Sequence, residues 1–228
     1  MRTLCVAVLL SLCACTGSFG ESAREAFHQA VASGPAPVVH VGNVAGAVRI
    51  EGWARNTVDV EATKYAHDSD ALHAIAIGVR KDGDTISVTT TYSATTHGGG
   101  VRYRISVPAG AALEIRNVAG AVDVAGVRGD VDVQTEAGEI TVDAGRVTGN
   151  RSIDLRATTG AITLGLASGG DATVVARSTV GDFGTDVPGL TQRRDNVIGA
   201  SGGGTIGSGS ASIRLTTTTG AISLRRVI

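Results

Sequence analysis

Aromatic side chains are nearly missing from this 228-residue chain: Phe, Trp and Tyr together make up 3% of it. A thick globular core leans on aromatic bulk. Here the apolar 43% is Val, Ile, Leu and Ala instead, which suits a thin, regularly layered interior. Cysteine is missing from the body of the chain. All three, Cys5, Cys13 and Cys15, fall within the first fifteen residues. That excludes disulfides and thiolate metal sites from everything that follows, so packing and backbone hydrogen bonds must hold the fold. An excess of either charge is also missing, with a formal net charge of -1. No basic face is offered to nucleic acid. No apolar run follows the first residues that is long enough to span a bilayer.

The first residues have the layout of an export signal. Arg2 supplies a positive start, and Leu4 to Leu12 form a short apolar run. The run ends Leu12-Cys13-Ala14-Cys15, which resembles a bacterial lipobox. That resemblance implies processing at Cys15 and lipidation of its thiol, anchoring the chain to a membrane from outside. Ordinary cleavage near Ser18-Phe19-Gly20 is the alternative, and would release it. Residues 16–37 read as a tether. Within it, Ala23, Ala26, Phe27, Ala30 and Val31 have helical spacing, so a short helix and a partly ordered linker both remain open.

From Val38 the apolar period becomes two, the mark of strands with one buried face. Asp68 to Ala74 predicts a turn or two of helix. Ile75, Ile77 and Val79 then face Ile86, Val88 and Thr90 across Asp82-Gly83, a hairpin signal. Beyond Leu113 a unit recurs: glycine, any residue, an aliphatic, a polar residue, an aliphatic. It starts at Gly120, Gly129, Gly138, Gly160 and Gly220, and Asn117 to Val122 repeats Asn43 to Val48 word for word. Val131, Ile153 and Val175 are spaced by 22 residues, as are Gly138 and Gly160, while Gly160 and Gly181 are 21 apart. The spacing predicts an all-β solenoid over residues 38–228 with coils of roughly 22 residues, each stacked on the last. An N-terminal strand and hairpin region precedes the regular coils. The register breaks across 188–210, which reads as an inserted loop.

Val101 to Pro108, Leu113 to Gly120 and the serial Gly-x-aliphatic-x-aliphatic units resemble the bacterial putative-adhesin domain, a family of otherwise unknown function. The resemblance covers residues 38–228. It implies an envelope-associated β-helical domain, and it brings no catalytic residues with it.

Motifs that would carry chemistry fail their context. Gly199 to Gly203 fits G-x-S-x-G around Ser201, but no helix follows, and His28, His40, His67, His73 and His97 all precede the serine. Gly202, Gly204 and Gly207 fit a dinucleotide fingerprint without a βαβ unit. Asp132 and Asp154 are 22 apart and are expected to stack, as an acid/base pair or calcium site would require. Their neighbours Asp123, Asp130 and Asp143 follow no such pattern, so solvated outward positions are the simpler reading. The threonine runs at 89–91 and 216–219 do not recur on every coil. Trp53 and Tyr65 are isolated aromatics. Catalytic, cofactor and metal sites are therefore assigned none.

The expected function is a non-enzymatic, exported cell-envelope protein that binds or scaffolds an envelope or extracellular macromolecule. A solenoid that binds or cleaves glycans is one alternative, and an envelope-stress regulatory component is another. For the anchor, Cys15→Ser is expected to abolish labelling by a fatty-acid probe and to release the protein from membranes. Unchanged labelling and retention would remove the lipoprotein reading.

Overall fold

A computed structural model describes residues 23–93, 98–195 and 198–227. Cys15 and the expected export signal lie outside them. The strands are β1 (Ala23–Ala32), β2 (Val38–Ala45), β3 (Val48–Trp53), β4 (Thr57–Ala66), β5 (Ile75–Asp82), β6 (Thr85–Tyr92), β7 (Gly99–Pro108), β8 (Ala112–Ala119), β9 (Val122–Ala125) and β10 (Val131–Ala137). They continue as β11 (Ile140–Asp143), β12 (Ser152–Thr159), β13 (Ile162–Ala167), β14 (Ala172–Val180), β15 (Phe183–Thr185), β16 (Leu190–Asp195), β17 (Gly199–Ile206), β18 (Ala211–Thr219) and β19 (Ile222–Val227). One short helix, α1 (Ser69–His73), starts where the Asp68 carboxylate accepts the Ala71 N–H.

The strands form two sheets facing each other across one apolar interior. One has nine strands in the order β1-β4-β7-β3-β9-β11-β13-β19-β15. The other has ten, β16-β17-β14-β18-β12-β10-β8-β2-β6-β5. Each coil takes one strand from each sheet and turns sharply between them. The all-β solenoid expected from the repeats is what forms. Leu113, Val131 and Ile153 pair side by side, as do Val122, Ile140 and Ile162, and all six are buried.

Glycine forces the turn between the two strands of a coil. Gly46, Gly120, Gly138, Gly160, Gly220 and Gly181 stack in that spatial order, each with a positive φ. A β-carbon on Gly160 would collide with the carbonyl oxygen of Gly138, and one on Gly220 with that of Gly160. The corner backbone is bonded along the same column. Gly120 N–H donates to Ala137 O at 2.9 Å, Gly138 to Thr159 O at 2.9 Å and Gly160 to Thr219 O at 2.9 Å. Gly129 belongs to another corner, where a β-carbon would strike the Ala111 carbonyl. The nine-residue spacing of Gly120, Gly129 and Gly138 is therefore half a coil.

The column revises the expected order of the coils. Ile153 pairs not with Val175 but with Ile213, and Ile213 pairs with Val174. Val175 sits one residue out of phase and is 55% exposed. The 21-residue step between Gly160 and Gly181 gave the true register, because it also separates Ile153 from Val174. The coil β18–β19 has slipped between β12–β13 and β14–β15. At the other end β2–β3 lies between β6–β7 and β8–β9.

Two further expectations change. Residues 188–210 are not a loop: they contain β16 and β17, an antiparallel hairpin laid along β14. Without it β14 would present an open edge. Glycine suits this strand, since a β-carbon on Gly202 would run into the buried Phe183 ring. Residues 23–32 are likewise neither helix nor tether, but strand β1, paired antiparallel to β4 over ten residues. Phe27 and Val31 pack on the core. A spacing of four satisfies a strand face as well as a helix face, and the free edge of β4 decides between them.

A polar column runs inside the glycine corner. Thr90, Asn43, Asn117, Thr135, Ala157, Thr217 and Ser178 are adjacent in register and buried. Asn43 and Asn117 donate to the carbonyls of Gly46 and Gly120 at 3.1 and 2.8 Å. Thr217 donates to Gly160 O at 3.0 Å, and Ser178 to Gly220 O at 2.7 Å. These side chains supply hydrogen-bond donors to the corner carbonyls. The Thr135 hydroxyl alone in this column finds no partner. The contrast is testable by thermal unfolding. Thr217→Val should lose about 1 kcal/mol. Thr135→Val, which removes an unsatisfied hydroxyl, should lose nothing or gain up to about 1 kcal/mol.

Candidate functional site

Every residue that leaves a core strand outward joins a row across the stack, because the coils are in register. On the ten-stranded sheet the first outward row reads Ser87, His40, Glu114, Asp132, Asp154, Arg214 and Val175. The second reads Thr89, Gly42, Arg116, Gln134, Arg156, Thr216 and Arg177. Asp132 and Asp154 are direct neighbours, as their spacing predicted.

The two rows lock together through charge. Arg116 reaches Asp132 at 2.6 Å and Glu114 at 3.0 Å. Arg156 pairs with Asp154 and stands 3.9 Å from Asp132. His40 Nδ1 lies 3.1 Å from Glu114. Each aspartate is thus paired with a guanidinium, Asp154 more deeply buried than Asp132. Partial burial pushes the Asp154 carboxyl above the usual carboxylate range, against the pull of Arg156, and Asp132 raises it further. One Asp154 oxygen is buried without a partner.

Beside this lattice runs a groove of 670 Å³. Its floor includes Gly42, Gln134 and Thr216. The missing side chain of Gly42 leaves a notch between Thr89 and Arg116. Val44, Val118, Glu136, Thr158 and Thr218 form one flank. Val44 and Val118 are each 41% exposed, so at the β2–β8 end the polar floor runs beside an apolar lip. Such a trough can accept an extended polymer by hydrogen bonding, ion pairing and apolar contact.

The other residues singled out from the sequence have local partners. Asp123 faces Arg49 at 3.8 Å on the opposite wall. The Asp130 carboxylate accepts the Ser152 N–H, and that of Asp143 accepts the Gly145 N–H. Ser201 lies within β17, with a strand on each side and no helix after it. His28 pairs with Asp59 and His67 with Asp68, both at 2.7 Å, while His73 ends α1. His97 lies outside the described residues. Trp53 donates to Thr57 O and carries Arg55 over its ring at 4.9 Å. Tyr65 carries Arg102 at 4.2 Å. Among the described residues no group of three or more His, Cys, Asp and Glu converges, and no helix is long and apolar enough to cross a membrane.

Sequence reasoning passed over Arg151. Its guanidinium is buried and donates to the carbonyls of Gly129, Ala144 and Val127 at 2.8 to 2.9 Å. Three carbonyls from two coils close around one cation, a structural clamp at a corner away from the groove. A single arginine outside the repeated unit leaves no periodic signal that could have found it.

The family model described as Toastrack DUF4097 matches residues 84–225, well over half of the chain. A solved protein from Clostridium sporogenes, named a "putative cell adhesion protein", has a similar fold. The TM-score is 0.65 at 11% identity, over 90% of this chain and 100% of that one. A "putative adhesin" from Bacteroides fragilis aligns over 91% of this chain and 98% of its own, at 10% identity and a TM-score of 0.38. No curated protein matches the chain.

Acid titration checks the electrostatics of the wall. A carboxyl that holds its proton more tightly in the folded state weakens the fold above its folded pKa, and that weakening disappears as acid protonates it. Asp154→Asn is therefore expected to unfold at a higher temperature than the wild type near pH 7. The gap should close as the pH falls through the carboxylate range, when thermal unfolding is followed by circular dichroism.

Proposed function

The chain belongs to the Toastrack DUF4097 family, and on that premise we propose that it is a non-enzymatic protein of the bacterial cell envelope. In this reading it holds an envelope or extracellular macromolecule along the outer wall of its ten-stranded sheet. The carrying observation is the 670 Å³ groove, whose polar floor crosses β6, β2, β8, β10, β12 and β18, with a lip of Val44 and Val118 over two of them. A binding surface of that form needs neither a nucleophile nor an activated base. Complementary rows of charge and hydroxyl would set register and specificity along an extended ligand. The name of the Clostridium sporogenes neighbour agrees with this reading.

Lipidation at Cys15 belongs to the same proposal. A lipid-anchored chain would present the solenoid to whatever lies beside its membrane. Secretion without an anchor would require the groove alone to hold the protein in place.

The glycan-cleaving alternative needs an acid and a base or nucleophile free to approach a sugar. The pairing of Asp132 and Asp154 with Arg116 and Arg156 speaks against it. The test is retention of the purified protein on immobilised envelope fractions and glycan arrays. Gln134→Trp and Thr216→Trp fill the groove and are expected to lower retention at least tenfold. Thr141→Trp, on the opposite wall, should retain as the wild type does. Equal retention by all four proteins would refute the groove as the contact surface. Glycan turnover abolished by Asp132→Ala would replace the reading with an enzymatic one.

A further inference from the structure

The interior does not close fully at the outermost coil, β14–β15. Val147, Leu166, Ala172, Val187 and Ile206 surround a cavity of 170 Å³ with an open mouth. Val147, Leu166 and Ala172 are buried, and Val187 is 9% exposed, so the walls belong to the core. The turn at Gly169 and Gly170 borders the opening.

Arg226 stands at that mouth. Along β19, Ile222 and Leu224 point into the core, and Arg226 continues their phase beside Leu166. Its side chain therefore leaves the sheet on the inner side, where the core ends. Its backbone N–H donates to the Asp186 carboxylate at 2.7 Å. Among the described residues its guanidinium has no ion-pair partner. Hydration at the exposed rim makes an unpaired cation inexpensive while the cavity is empty.

Size and charge together select a ligand class. A dry aliphatic cavity of about 150 Å³ accepts a six-carbon ring. This one has room for an apolar tail of about six to eight carbons. An apolar hollow alone would take any hydrophobe, whereas an unmet guanidinium at its rim favours a carboxylate head that it can bind with two parallel hydrogen bonds. We propose that the cavity binds a medium-chain aliphatic monocarboxylate, with the tail among Val147, Leu166, Ala172 and Ile206 and the carboxylate on Arg226. The site is separate from the groove on the outer wall and stands or falls independently of it.

Calorimetric titration of the full chain with octanoate, 1-octanol and acetate tests this. Octanoate is expected to bind with one-to-one stoichiometry. Octanol should bind at least tenfold more weakly, and acetate not measurably. Arg226→Gln, at an exposed position, should reduce octanoate to the affinity of octanol without changing the unfolding temperature. Ala172→Leu, which fills the cavity, should weaken octanoate at least tenfold. The proposal is overturned if octanoate does not bind, if Arg226→Gln leaves its affinity unchanged, or if a folded Ala172→Leu binds it as the wild type does. Should Ala172→Leu fail to fold, the octanoate and octanol affinities of Arg226→Gln decide alone.

Discussion

The corner amides and carbonyls of successive coils meet head to tail, and the rest of the molecule is arranged around that contact. Each coil turns too sharply for a side chain at its corner. The carbonyl of one corner occupies the space where the β-carbon of the next would be. Glycine is thus required for two separate reasons at one place: the backbone angle, and the closeness of the neighbouring peptide. Once the corners stack, the strands on either side are brought into register without further choice. Aliphatic residues then meet their equivalents, so Val131 lies beside Ile153 and Ile140 beside Ile162. A short strand with two or three inward aliphatics could not bury its own face, and the stack buries it from both sides.

The same register produces the candidate site. Outward residues fall in rows because inward residues do. A carboxylate row beside a guanidinium row neutralises itself, which leaves the wall ordered and close to uncharged. The trough beside it follows from unequal side-chain sizes, with Gly42 at one extreme and Arg116 at the other. The polar column behind the wall, from Asn43 to Ser178, holds the corner from within. Arg151 does so at a different corner with one buried cation. Such groups are costly to bury unless fully bonded, and all but the Thr135 hydroxyl in that column have a partner where their chemistry permits one.

The sequence disclosed the unit but not the order of the units. Alternation and repeated glycines reported the strand, the buried face and the corner, since each leaves a local mark. The adjacency of Asp132 and Asp154 was legible for the same reason. Which coil lies on which is decided at a distance. Two successive valines at 174 and 175 let a 22-residue count choose the outward one, although the 21-residue glycine step implied the inward one. The strands at 23–32 and 199–206 were illegible because their own patterns are weak. They are strands because β4 and β14 offer unpaired edges. The groove needed the rows first, and the cavity at Arg226 needed the order of the coils. The polar column did leave a trace. A polar residue stands three places before the corner glycine at Asn43, Asn117, Thr135, Ser178 and Thr217, and only Ala157 departs from it.

The placement of β18–β19 between two coils that precede it in the chain bears on how the molecule comes into being. A polypeptide delivered from its N-terminal side can assemble β8 through β13 as each segment arrives. The segment β14–β15 then has no permanent seat, for its proper neighbour has yet to emerge. It must wait, or rest on β12–β13 and later give way. The waiting time is set by the delivery of some forty further residues into the compartment where the chain folds. During that interval one face of the growing stack stays unsealed, so a chaperone or secretion partner acting on this protein would have its window there rather than at the start.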